Sequence, residues 1–168
     1  MSHGVVGIAY QVGDSMSLSQ AYTEMVNVFG SKNVLREPNE IQQYSLNVYS
    51  KTEQRPALVI KSESAKQLSQ LFSIAKKYKL QITPRGSGFD PAEWSMPENG
   101  IIADLTGLNQ ILRVDKEKNS ITVQSGVNFE SLSAVLASKG FSLGLEPIYS
   151  PAVTIGGFIA SYGVGYGS

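Results

Sequence analysis

Two glycine-bearing segments hold the residue types from which ligand chemistry can be built. The first, Thr83-Pro84-Arg85-Gly86-Ser87-Gly88-Phe89-Asp90, follows directly on a short apolar run that reads as a strand. Two glycines one residue apart let the backbone turn sharply and aim successive amides at one point, an anion nest suited to a pyrophosphate. A Gly-X-Gly pair is also commonly a plain turn, and no third glycine completes a dinucleotide-binding fingerprint. A P-loop is excluded, because Gly30-Ser31-Lys32-Asn33 lacks both the upstream glycine spacing and the Ser or Thr that would hold magnesium. The second segment runs from Pro147 through Pro151, Thr154, Ile155, Gly156 and Gly157 to Ser161, Gly163 and Gly165. Paired glycines in an apolar run permit close backbone approach to a flat ligand or to another strand. The alternative is a tight turn inside a core. A membrane-type helix is excluded because Pro151 interrupts the run below the ~20 residues a span requires.

Other chemistries lack their raw material. There is no cysteine, hence no thiolate, disulfide or Cys-ligated zinc, and the single histidine, His3, lies at the N-terminal end. Triads and His-rich metal sites are ruled out, so no catalytic or metal-ligating residue is assigned. Fourteen Lys plus Arg balance fourteen Asp plus Glu in the 168 residues, leaving net charge zero, which argues against a nucleic-acid partner. The 42% apolar content is that of a packed protein of about one domain. Val5 to Tyr10 is too short for a signal-peptide core and lacks a basic flank. The chain reads as soluble and cytoplasmic, with no transmembrane segment.

Positioning the two segments requires ordered elements around them. Ser17 with Gln20 suggests a capping box, and Leu18, Ala21, Tyr22, Met25 and Phe29 recur at helical spacing up to Gly30, predicting a helix over about 18–29. Ser64 with Gln67 repeats the cap. It precedes an apolar stripe of Leu68, Leu71, Phe72, Ala75 and Tyr78, with Lys76, Lys77 and Lys79 at the negative end of the helix dipole. Asn128 caps a third helix carrying Phe129, Leu132, Val135 and Leu136, ended by Gly140. Strands are predicted over 57–61, 80–83, 100–105, 111–115 and 120–124. The first two flank the second helix as in a βαβ unit, giving a small parallel sheet, and the last two form a hairpin across Lys116 to Asn119. The fold class is α+β. Only Glu130, Lys139 and Glu146 are charged from residue 119 onward, so the C-terminal third looks more like an interior than a surface.

Taken in order, Arg55-Pro56-Ala57-Leu58-Val59-Ile60, Pro84-Arg85-Gly86-Ser87-Gly88, Gly100 to Leu105 with Leu108 to Leu112, Ile121 to Val127 and Thr154-Ile155-Gly156-Gly157 resemble a known family. Over about residues 40–168 the chain is similar to the FAD-binding domain of the p-cresol methylhydroxylase and vanillyl-alcohol oxidase type, particularly its glycolate oxidase and D-lactate dehydrogenase branch. The resemblance implies a two-subdomain fold with a small parallel sheet and an incomplete antiparallel subdomain. Its expected divisions are a helical extension over 1–50, a first subdomain with the pyrophosphate loop over 51–110 and a truncated second subdomain over 111–168.

The resemblance implies that FAD is held by Arg85, Gly86, Ser87, Gly88, Phe89 and Asp90 in the first segment, and by Thr154, Gly156, Gly157, Ser161 and Gly163 in the second. Covalent members often use a histidine near the pyrophosphate loop. None stands there, so the FAD is expected to be dissociable. Carboxylates at Asp90 and Glu93, beside Trp94, oppose a dianionic ligand unless turned outward, while Arg85 either compensates or serves as a surface ion-pair partner. The implied function is the FAD-binding portion of an oxidoreductase acting on a small 2-hydroxy acid such as glycolate or D-lactate. The alternative is an incomplete flavin fold acting as a non-catalytic binding or assembly subunit. A C-terminal substrate domain or companion subunit is expected as partner, since the chain reads as a fragment or split gene product. Self-association through residues 141–168 is expected from their low charge.

Overall fold

The computed structural model describes residues 15–45, 55–89, 95, 97, 99–148 and 150–167. Its main sheet joins β1 (Val34–Leu35), β2 (Leu58–Lys61), β3 (Ile82–Arg85) and β4 (Ile101–Asp104) in the spatial order β1-β2-β4-β3. β4 runs parallel to both its neighbours, pairing Leu58 with Ile101 on one side and Ile82 with Ile101 on the other, while β1 closes the edge antiparallel to β2. The helix α3 (Ala65–Tyr78) connects β2 to β3, and β4 fills the gap left between them. The expected parallel βαβ arrangement is therefore present. The third expected strand lies between the first two.

Period-two alternation explains why β2 and β4 carry continuous apolar runs. Leu58, Ile60, Ile101 and Ala103 face one cluster with Ala21, Met25 and Phe29 of α1 (Ser15–Phe29) and Leu71 and Ile74 of α3. Val59 and Ile102 face the opposite cluster with Leu35 and with Ile41 and Tyr44 of α2 (Pro38–Ser45). A sheet covered on both faces needs apolar residues at every position of its central strands, whereas a half-exposed sheet alternates. The described part of the 1–50 segment thus supplies an edge strand and one helix to each face of this core. Its expected boundary at residue 50 lies outside the described residues.

The helices start and stop for local reasons. Ser64 accepts from the Gln67 amide at 3.2 Å, and the Gln67 side chain accepts from the Glu63 amide at 2.9 Å, so α3 has a nearly reciprocal cap. Asn128 likewise accepts from the Ser131 amide at 2.8 Å and opens α4 (Phe129–Ser138). Two expectations need correction. α1 begins at Ser15, which places Ser17 inside the helix instead of at its cap. Phe72, expected on the apolar stripe, is 53% exposed, because it lies about 100° round the helix from Leu71 and further still from Ile74.

The remaining chain is built on the hairpin of β5 (Ile111–Asp115) and β6 (Ser120–Val123), whose register shifts between Ile111 and Arg113. α4 lays Leu132 and Leu136 with Val127 against Ile111, Ile121 and Val123. Phe129, Val153 and Phe158 form an adjoining cluster, the two rings meeting edge to face at 5.0 Å. The short helix α5 (Ile155–Ala160) follows β7 (Glu146–Pro147), which pairs with β8 (Gly165–Tyr166). No helix among the described residues is long and apolar enough to cross a membrane.

The two-faced burial of β4 makes a quantitative prediction. Ile102 is fully buried, so Ile102→Ala should lower unfolding free energy by about 2–5 kcal/mol, while Phe72→Ala should change it by less than about 1 kcal/mol. Urea denaturation of the two variants beside the unaltered protein measures both.

Candidate functional site

The parallel sheet delivers the chain from the C-terminal end of β3 straight into the turn Gly86-Ser87-Gly88, and the second glycine segment folds back to meet it. Pro84, Gly86, Ser87, Gly88 and Phe89 form one wall of a cleft of about 170 Å³, and Val153, Thr154, Gly157, Ala160 and Ser161 form the other. The walls touch: a Cβ at Gly86 would overlap the buried Thr154 hydroxyl. Any other residue at 86 would drive the walls apart. Gly88 has φ +78°, a conformation that side chains rarely adopt, and turns the loop back over the Arg85 guanidinium.

Thr154 anchors the second wall. Its side chain caps α5 by accepting from the Gly157 amide at 3.3 Å, and its backbone bridges to Asn128. Next to it, the Ile155 amide donates to Val127 O at 2.7 Å and the Gly156 amide to Ser125 O at 2.8 Å, which locks this wall onto the turn that follows β6. By contrast, the amides of Gly86, Ser87 and Gly88 donate to no protein group among the described residues. Unpaired amides on a glycine turn beside a cleft are what an anionic oxygen requires.

The expected site residues separate into three groups. Gly86, Ser87, Gly88 and Phe89 come together with Thr154, Gly157 and Ser161 around the cleft, which is the union of the two segments. Arg85, Gly156 and Gly163 do not line it. Arg85 is only 7% exposed and lies beneath the loop, inside the protein and away from its surface. Gly156 packs on Ser125, and Gly163 packs on the Phe158 ring. Asp90, with Glu93 and Trp94, lies outside the described residues. Pro84, Ser95, Val153 and Ala160 were missed among the lining residues. The signal of Val153 and Ala160, small or apolar side chains flanking Thr154 and Ser161, is shared with any core segment. Among the described residues no group of His, Cys, Asp and Glu is arranged to hold a metal ion.

Comparison with known proteins agrees with this geometry. Residues 56–168 match the family model described as FAD binding domain. The chain is 28% identical over 162 residues to the uncharacterized FAD-linked oxidoreductase YgcU of Escherichia coli (strain K12), covering 89% of this chain and 34% of that protein. It is 31% identical over 117 residues to the glycolate oxidase subunit GlcD of Bacillus subtilis, covering 69% of this chain and 25% of the relative. It is 29% identical over 120 residues to the mitochondrial D-lactate dehydrogenase [cytochrome] of Kluyveromyces lactis, covering 67% of this chain and 20% of the relative. The chain thus spans about a third or less of the length of these relatives. Among solved structures, an alkyldihydroxyacetonephosphate synthase superposes with TM-score 0.79 at 21% identity, covering 88% of this chain and 30% of that one. A p-cresol methylhydroxylase with substrate bound superposes with TM-score 0.74 at 18% identity, covering 83% of this chain and 28% of that one. At such identities the structural matches establish the fold, the two-subdomain p-cresol methylhydroxylase type.

The two glycines of the second wall should respond differently to substitution. A Cβ at Gly156 would lie 2.6 Å from the Ser125 Cβ and 2.9 Å from Ser125 O, while one at Gly157 would meet only the Thr154 hydroxyl at 3.0 Å. Gly156→Ala should therefore destabilise by about 1–3 kcal/mol. Gly157→Ala should stay within about 1 kcal/mol of the unaltered protein, because alanine's helix preference offsets the contact. Thermal unfolding of the two variants decides the order.

Proposed function

This chain belongs to the FAD binding domain family, and we propose that it holds the dissociable FAD of an oxidoreductase acting on a small 2-hydroxy acid of the glycolate or D-lactate type. The observation that carries the reading is the glycine turn with unpaired amides at 86–88, set against the Thr154–Ser161 wall across one cleft. The residues fit the group. The turn leaves room for backbone to approach a pyrophosphate, the second wall offers a flat, small-residue surface, and Arg85 brings a buried positive charge under the loop. We assign Gly86, Ser87 and Gly88 to the pyrophosphate, with Arg85, Phe89 and Asp90 at its margins. Thr154, Gly157 and Ser161 would border the flavin and ADP portions, with Gly156 and Gly163 shaping that wall. When bound, FAD supplies a hydride acceptor, and the work of this chain is to hold and orient it.

Non-covalent attachment is supported by the sequence, which has no cysteine and no histidine other than His3, far along the chain from the pyrophosphate loop. The substrate class is supported by the names of two relatives, glycolate oxidase subunit and D-lactate dehydrogenase. We take the subdomain division at residue 110, between the sheet and the β5–β6 hairpin, and assign substrate contacts to a companion domain or subunit. The exposed apolar side chains Ile148, Ile159, Tyr162, Val164 and Tyr166 support a covering of this region by such polypeptide, with self-association as the other way to bury them.

The test is direct. Titrating purified protein with FAD should give a saturable, shifted flavin absorption spectrum, and acid precipitation should release all flavin to the supernatant. Gly86→Val, which crowds Thr154, should weaken binding by tenfold or more. Flavin remaining with the precipitate would overturn non-covalent attachment, and a spectrum identical to free FAD would overturn the cofactor reading itself.

A further inference from the structure

The end of the sheet beneath the glycine turn holds a buried polar cluster of which the cofactor reading calls only on Arg85. Arg85, the last residue of β3, donates from its Nη1 to the backbone carbonyl of Tyr44 at 3.1 Å, and its guanidinium carbon lies 5.5 Å from the centre of the Tyr44 ring. Tyr44, in the last turn of α2, donates its hydroxyl to Asp104 Oδ2 at 2.6 Å. Asp104 is the last residue of β4 and stands in register with Arg85. Its other oxygen accepts from the Thr106 amide at 2.9 Å and the Thr106 hydroxyl at 2.6 Å. All three side chains are buried.

Burying ionised groups is costly unless each is held by several hydrogen bonds, and removing one partner leaves the others strained or unsatisfied. Here the bonds run from the carboxylate at the end of β4, through Tyr44 at the C-terminal end of α2, to the guanidinium at the root of the loop. The loop rests on the result. A Cβ at Gly88 would come within 2.8 Å of the Arg85 Cζ and 2.9 Å of its Nε, so the guanidinium is the surface over which the turn is folded. The guanidinium is set against the turn, and the carboxylate accepts from Tyr44 and Thr106. Burial first, and the bond to Asp104 second, push the Tyr44 phenol well above its ordinary range. It stays a donor throughout the pH range of ordinary experiments.

We propose that Tyr44 and Asp104 are positioning residues that fix the Arg85 guanidinium beneath the Gly86–Gly88 turn, so that its charge and the turn's amides together meet the cofactor's pyrophosphate. The inference rests on the FAD reading of the cleft. It assigns to α2, which lines no part of the cleft, a share in the affinity for the phosphates. Its electrostatic part depends on retained charge at 85, and its geometric part depends on the Tyr44 hydroxyl.

Dissociation constants for FAD, measured by spectral titration on the unaltered protein and on Tyr44→Phe, Arg85→Lys and Arg85→Gln, test both parts. Tyr44→Phe keeps the ring and the carbonyl that Arg85 uses, and should weaken FAD by about three- to tenfold, the worth of one buried hydrogen bond. Without FAD the variant should still fold, melting only a few degrees lower because the buried Asp104 carboxylate loses one donor. Arg85→Gln should weaken FAD more than tenfold, and Arg85→Lys should recover at least fivefold of that loss by restoring the charge. Equal losses in the Lys and Gln variants, or a Tyr44→Phe protein that binds FAD as the unaltered one does, would overturn the inference while leaving the cofactor reading intact. Failure of the unaltered protein to bind FAD overturns both. If the Arg85 variants do not fold, the Tyr44→Phe comparison decides alone.

Discussion

Strand β4 is hydrogen-bonded on both edges and covered on both faces, and this double enclosure organises everything that matters for the cleft. Because its neighbours run parallel to it, β2, β3 and β4 all end on the same side of the sheet. There Ser62 donates its amide to Asp104 O at 3.0 Å, and Leu105 donates to Arg85 O at 2.9 Å. In a parallel sheet the carboxyl ends of the strands are where ligand loops gather. The glycine turn at 86–88 occupies that place because a buried strand fixes its stem. The apolar residues Ile101, Ile102 and Ala103 therefore act on the site without approaching it: they set the height at which Asp104 and Arg85 meet.

The legible parts of the fold were those in which local pattern and tertiary burial agree. Apolar runs at 57–61 and 100–105, with the capped stripe of α3 between the first of them and 80–83, could satisfy their backbones and bury their side chains in one way only. The elements that escaped notice are short. β1 is two residues long and owes its existence to pairing with β2, which has no local signature. α2 did leave a trace: Pro38 sits at its first position, and Glu40 accepts from the Glu37 amide at 3.3 Å. Its Ile41 and Tyr44 complete a narrow apolar face. α5 is masked in sequence by Gly156 and Gly157, poor helix formers that are there for close packing and for the cleft.

The site was legible as two segments, and what their sequences withheld was the relation between them. Nothing in Pro84-Arg85-Gly86 announces that the arginine points into the protein. Its burial depends on the carbonyl of Tyr44, forty-one positions earlier, and on the register that brings Asp104 beside it. A formally neutral chain is no obstacle to binding a dianion under these conditions. Binding depends on local potential, to which distant surface charges, screened beyond about 10 Å, contribute little.

The scarcity of charge beyond residue 119 has two separate causes, and the structure tells them apart. Where the chain is packed against itself, as at Phe129, Val153 and Phe158, apolar residues are simply core, and the glycines between them let backbone lie against backbone. That accounts for Thr154 to Phe158. It does not account for Tyr162 at 88% exposure or Ile159 and Tyr166 at 69%, which make no contribution to any cluster. The sequence pattern alone merges these groups, because a buried glycine-rich turn and an uncovered apolar rim have the same composition. Their difference is positional: the first group holds the cleft wall in place against Ser125 and Val127, and the second is the exposed apolar side chains from Ile159 at the end of α5 to Tyr166 in β8. Ile159 and Tyr162 adjoin Ala160 and Ser161 of the cleft wall in the chain, so the wall and the uncovered rim alternate within one short stretch of sequence.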